Sequence, residues 1–121
     1  FAKELPYLWA PLPGEFQRRS GIVCIASISI KQKKLADQEL LPYLDLVKEY
    51  IDDDRNFVKK ANSWTLRTLG KRSLWLNEQV INYLEKHWRL ANGRFKFWAA
   101  GDAYRELTDS KIKGRLLARG R

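Results

Sequence analysis

The sequence contains no methionine, one cysteine, one histidine and only four prolines among its 121 residues. Without a methionine Phe1 is not a translation start, so the chain is expected to be a fragment of a longer protein. The lone Cys24 rules out an internal disulfide, and with His87 as the single histidine no zinc site of the usual Cys/His kind can be assembled. Both residues are therefore read as structural, and no metal is expected. No apolar run approaches the roughly 18 residues that a membrane-spanning helix needs, and the N-terminus lacks the pattern of a signal peptide. A soluble, intracellular protein is the corresponding expectation.

Positive charge is plentiful and unevenly placed. The chain carries 23 Lys+Arg against 14 Asp+Glu, a formal net charge of +9. Residues 1–54 hold 7 cations and 9 carboxylates, whereas residues 55–121 hold 16 and 5. A basic bias confined to one half marks that half as a candidate phosphate-binding region, with a solubilising role as the ordinary alternative.

Within that half, DDDRNFVKKANSWTLRTLGKR (52–72) reads as one helix. Three aspartates precede it, where a helix N-terminus favours negative charge, and Gly70 followed by two cations resembles a helix end. At about 100° per residue, Phe57, Val58, Ala61, Thr65 and Leu69 share one arc and Lys60, Arg67 and Lys71 another. Trp64 falls on the border, so its ring can be packed from below with one face open beside a row of cations. Such a face suits DNA. The competing reading is a core-edge tryptophan beside an ordinary solvated surface.

The remaining segments are also helical in pattern. FAKELPYLWAPLPG (1–14), with three of the prolines, reads as a short helix end or extended lead-in with Trp9 packed. EFQRRSGIVCIASISIK (15–31) holds a β-branched run compatible with a buried strand, but its length and charged opening favour a buried helix. Asp37 is placed to cap DQELLPYLDLVKEYI, with Leu40, Leu41, Leu44, Val47 and Ile51 inward and Pro42 able to shift the start. Ser73 caps SLWLNEQVINYLEKHWRL, with Leu76, Val80, Tyr83, Leu84 and Trp88 inward, and Asn92 and Gly93 stop it. GRFKFWAAGDAYRELT forms a further helix with Phe97, Ala100, Tyr104 and Leu107 on one side. DSKIKGRLLARGR is expected to be a short, fraying basic helix. An aromatic, a cation and a small residue recur at Phe16–Ser20, Phe57–Ala61 and Phe95–Ala99, 41 and 38 residues apart. A two-helix unit of about 40 residues is the period of HEAT-type α-solenoids. The predicted fold class is all-α, a stack of such units.

FVKKANSWTLRTLGKR, preceded by DDRN, resembles the signature of the AlkD-like DNA alkylation repair family. The resemblance extends to EFQRRSGIV, LNEQVINYLEKHWRL and FWAAGDAYREL, and so covers the chain, but only the C-terminal portion of a family member. It implies that residues 1–121 belong to one HEAT-like-repeat domain whose N-terminal repeats are missing here. It further implies a DNA glycosylase that removes cationic N3- and N7-alkylated purines from duplex DNA without flipping the base into a pocket. Trp64 then corresponds to an aromatic of the lesion cleft and Arg67 to a backbone-contacting arginine. Arg19 matches a second cleft arginine, with Arg18 the alternative one residue away. Lys60 and Lys71 are added as DNA contacts from the helical wheel alone. The family's essential aspartate, four residues after a tryptophan, lies in a segment upstream of Phe1. Trp98 and Asp102 share that spacing, but Asp102 is read as a structural partner of Arg105 or of a helix end. No cofactor or metal is implied, and the resemblance suggests a monomer acting on DNA in a bacterial cytoplasm. A protein-interaction scaffold and a non-catalytic DNA binder are the alternatives.

Overall fold

In the computed structural model, which describes residues 3–119, the chain is all-α. The helices are α1 (Leu5–Trp9), α2 (Glu15–Lys31), α3 (Pro42–Glu49), α4 (Asn56–Gly70), α5 (Leu74–Trp88), α6 (Trp98–Leu107) and α7 (Ser110–Ala118), with a 3₁₀ turn at Asp37–Leu40. Among the described residues the nearest approach to a sheet is one isolated bridge between Arg89 and Phe95. The segment GIVCIASISI is helical, as its length and charged opening predicted. It buries Ile22, Ile25, Ala26 and Ile28, and packing on several sides outweighs the weak preference of β-branched residues for strands.

Helix α4 lies between α2 and α6, and these three form one layer. Behind them α3 packs on α2, α5 packs on both α4 and α6, and α7 packs on α5 and α6. The core between the layers includes Ile25, Leu44, Val47, Val58, Leu66, Leu69, Leu84 and Leu107. Polar side chains fix the register. Thr65 Oγ1 donates to the Ile22 carbonyl at 3.0 Å, tying α4 to α2, and Asn62 Nδ2 donates to the Tyr50 carbonyl at 3.1 Å. These bonds satisfy the buried Thr65 hydroxyl and the Asn62 amide nitrogen, whereas Asn62 Oδ1 is buried without a partner among the described residues.

Helix ends follow specific side chains. Ser73 Oγ accepts from the Leu76 N–H at 3.1 Å and starts α5, as expected. Asp37 does not cap α3. It accepts from Arg72 Nε at 3.0 Å and from the Ser73 hydroxyl at 2.7 Å, and α3 begins instead at Pro42, whose fixed φ suits the first helical position. Arg72 in turn donates to the carbonyls of Ser29, Gln32 and Leu35, closing the C-terminus of α2. The aspartates before α4 provide no side-chain cap to it, because Asp53 is held by Arg18 and Arg55. Helix α7 is docked rather than frayed. Asp109 caps it through the Lys111 N–H at 2.8 Å, and Ile112 and Leu116 are buried. Trp9, expected to pack, is 44 % exposed.

Gly21 lies where α1 crosses α2. A Cβ there would stand 2.3 Å from the Ala10 backbone nitrogen and 2.8 Å from its Cα. Backbone cannot swing aside as a side chain can. Gly21→Ala should therefore destabilise the protein by about 1–3 kcal/mol in urea unfolding. Gly114, in the middle of α7 with nothing within 4 Å of the added methyl group, should change in the opposite direction, gaining about 0.5–1 kcal/mol on replacement by Ala. Equal effects at the two sites would contradict the close approach of α1 and α2.

Candidate nucleic-acid groove

The α2–α4–α6 layer presents a groove of about 430 Å³ lined by Arg19, Val23, Phe57, Lys60, Ala61, Trp64, Arg67 and Trp98. Four residues singled out in the sequence, Trp64, Arg19, Lys60 and Arg67, thus lie on one surface. Phe57, Lys60, Trp64 and Arg67 follow one another at spacings of three, four and three on α4, which puts them on a single helical stripe. Trp64 is 37 % exposed, so its ring is only partly packed.

Three placements differ from expectation. Phe57 belongs to this stripe rather than to the core arc and is 45 % exposed. It stands seven residues before Trp64, and seven steps of about 100° bring the chain back to within about 20°. Lys71 is on the same stripe but outside the groove. Eleven residues separate it from Lys60, about 16 Å of helical rise, and its ammonium pairs with Glu106. The third aromatic of the repeat is Trp98, not Phe95, because α6 begins at Trp98 and Phe95 lies in the loop before it. With that correction Phe16, Phe57 and Trp98 are spaced 41 and 41 residues apart near the starts of α2, α4 and α6. Their rings extend across the layer: Phe16 and Phe57 have centroids 5.3 Å apart, and Lys59 Nζ stands 5.6 Å from the Trp98 ring centre. Trp98 as a groove residue was missed in the sequence, although the even spacing carried the signal.

The ambiguity between the adjacent arginines has a geometric answer. Arg18 turns away, donating to the Ala10 carbonyl and to Asp53, both at 2.9 Å, with its guanidinium 4.3 Å from the Tyr50 ring centre. Arg19 is exposed and lines the groove. Arg19 and Lys60 have no carboxylate partner among the described residues, whereas Arg67 is held in a network. Its Nη1 is 3.4 Å from Glu106 Oε1, its Nε is 4.0 Å from Asp102 Oδ2, and Nε also donates to Ser63 Oγ at 3.2 Å.

That network also accounts for Asp102. The carboxylate accepts from Ser63 Oγ at 2.6 Å and from Arg105 Nη2 at 3.0 Å, so the pairing with Arg105 is present. Burial pushes the Asp102 carboxyl upward, but the hydrogen bonds from Ser63 and Arg105 and the charges of Arg67 and Arg105 outweigh it and hold the group below its ordinary value. Glu106 is likewise lowered, chiefly by its hydrogen bond from Lys71. Both are ionised partners of cations rather than proton donors or acceptors poised near neutrality. None of the groove-lining side chains is a carboxylate. Cys24 packs half-buried against the core, and the His87 ring lies 4.3 Å from that of Tyr83, consistent with structural roles.

Fold and groove together define an all-α protein with a groove on its helical layer lined by cations and aromatic rings. The chain belongs to the family described as DNA alkylation repair enzyme, which it matches over residues 2–107. No curated protein and no solved structure matches it. No helix among the described residues is long and apolar enough to cross a membrane.

Proposed function

We propose that the groove binds duplex DNA around an alkylated purine and forms the C-terminal side of a HEAT-like-repeat DNA glycosylase acting in base excision repair. The observation that carries this reading is the part-exposed Trp64 set among Arg19, Lys60 and Arg67 in a groove whose own lining includes no carboxylate. Arg19 and Lys60, which have no carboxylate partner among the described residues, are free to meet phosphates, while Arg67 is shared with Asp102 and Glu106; such contacts position a duplex without reading its sequence. An N3- or N7-alkylated purine is cationic, so its glycosidic bond is already weak. Tryptophan faces attract both that base and the sugar as it becomes cationic, most strongly where water is excluded. The remaining requirement is a carboxylate beside the sugar. Asp102 is committed to Ser63, Arg105 and Arg67, so the reading assigns that group to a segment preceding residue 1.

The test is release of free 7-methylguanine or 3-methyladenine from alkylated duplex DNA. A form extended at its N-terminus should release base, and the 121-residue chain alone should bind duplex but release little. In the extended form Trp64→Ala should slow release about five- to thirtyfold, the equivalent of about 1–2 kcal/mol of lost π attraction. Circular dichroism checks that the variant remains folded. Undiminished release by folded Trp64→Ala would remove Trp64 from the chemistry, and efficient release by the short chain would place the carboxylate within it.

A further inference from the structure

The C-terminal helix adds a second basic surface, and its residues lie beyond the segment that matches the family. At the C-terminal ends of α2 and α4 a depression of about 530 Å³ is lined in part by Lys33, Lys71, Arg72 and Arg119. It adjoins a second one, of about 440 Å³, that shares Lys71 and Arg119 and adds Arg115 from α7. Neither is lined by a carboxylate. Cations at helix C-termini often do no more than satisfy carbonyl groups, and two of these five do that. Arg72 is spent on the end of α2 and on Asp37, and Arg119 Nη2 donates to the Lys71 carbonyl at 2.7 Å. A carbonyl does not neutralise charge, however, so Arg119 remains a full cation. Lys33 and Arg115 have no carboxylate partner among the described residues. Three unneutralised cations from two elements distant in sequence therefore converge where α4 ends.

Helix α7 is docked there by polar and apolar contacts. Lys113 Nζ donates to the buried Asn77 Oδ1 at 2.7 Å, and Ile112 and Leu116 are buried beneath the helix. The stripe on α4 that carries Lys60, Trp64 and Arg67 continues through Lys71 into this surface. Lys60 and Lys71 are about 16 Å apart in helical rise, short enough for one duplex to reach both surfaces.

We propose that Lys33, Arg115 and Arg119 form a second backbone-gripping site, which holds the same DNA duplex beyond the C-terminal end of α4 and is supplied in part by a helix outside the family segment. The inference rests on the groove being a DNA site, and the two ideas fail separately. The second site holds phosphates only, so its contribution is independent of sequence and of alkylation.

The experiment is salt-dependent binding of an unmodified duplex of about 20 base pairs to the full chain. Arg115→Gln with Arg119→Gln should reduce the slope of log affinity against log salt by about 1.8, and Lys33→Gln alone by about 0.9. Arg115→Lys with Arg119→Lys should restore the slope, which loss of a merely structural contact would not predict. An unchanged slope in the glutamine variants, beside a reduced slope in Lys60→Ala, would overturn this proposal and leave the groove standing. No change in any variant would overturn both. If the double glutamine variant melts early, exposed Lys33 decides the matter, and an unchanged slope there counts against the site.

Discussion

Asp53→Ala should cost about 3–5 kcal/mol of folding free energy, the usual penalty for removing one member of a buried ion pair. The Asp53 side chain is 9 % exposed and accepts from Arg18 Nη1 at 2.9 Å, and from Arg55 Nε at 3.0 Å and Nη2 at 2.7 Å. Arg55 is the more exposed partner, and its side chain stays in reach of solvent when Asp53 is lost. Arg18 is mostly buried, and its remaining partners are the Ala10 carbonyl and the Tyr50 ring. Without Asp53 it becomes an uncompensated buried cation where α1, α2 and the entry to α4 meet. A loss of this size lowers the melting temperature by about 12–20 °C in a domain of this length.

The same residue sets an acid limit. Its hydrogen bonds from Arg55, with the one from Arg18 added, hold the Asp53 carboxyl at about 2, against an ordinary 3.8, although burial opposes them. The folded-state value is depressed, so the unfolded chain takes up the proton first as pH falls. The stabilisation is complete above about pH 5 and is lost as pH falls through the folded value near 2. Stability of the parent protein should therefore decline over that window more steeply than that of Asp53→Ala. A variant that unfolds within 1 kcal/mol of the parent at pH 7 would show that the Arg18 cluster does not anchor this corner.

Much of the architecture could be read from periodicity, because helical spacing is a local property. The helical segments, the Ser73 cap and the burial of Val58, Ala61, Thr65 and Leu69 all follow from residues a few positions apart. The errors arose where partners distant in sequence decide. The aspartates before α4 looked like a favourable helix start, but Asp53 is claimed by Arg18, 35 residues earlier. Lys71 looked equivalent to Lys60 on the wheel, yet it lies at the far end of α4 beside Glu106. Arg67 lies in the groove as its arc suggested, while its two carboxylate partners come from α6 and left no mark on the sequence of α4. The basic C-terminal run looked frayed because it is mostly polar. Two apolar residues four apart, Ile112 and Leu116, were sufficient to dock it once a capping aspartate preceded them. The repeat pattern puts its third aromatic at Phe95, whereas α6 opens three residues later at Trp98, after a loop that helical periodicity does not register.

Reversing two groove charges together, Arg19→Glu with Lys60→Glu, should weaken duplex binding by on the order of 10²- to 10³-fold at about 0.1 M salt. Each phosphate contact contributes about 0.9 to the salt slope, or roughly eightfold in affinity between 1 M and 0.1 M salt. Loss of both contacts accounts for about sixtyfold, and the new carboxylates add repulsion. Both side chains are exposed and free of carboxylate partners among the described residues, so stability should change by no more than about 0.5 kcal/mol per site. Arg67→Ala provides the contrast. It removes a single positive charge, and the slope should fall by about one, but it also strips Asp102 and Glu106 of a shared partner, so stability should fall with affinity. Titrations of fluorescent duplex across a salt series, paired with melting curves, separate the two kinds of variant. If Arg19→Glu with Lys60→Glu binds as tightly and as salt-sensitively as the parent while remaining folded, the duplex does not lie in the Trp64 groove.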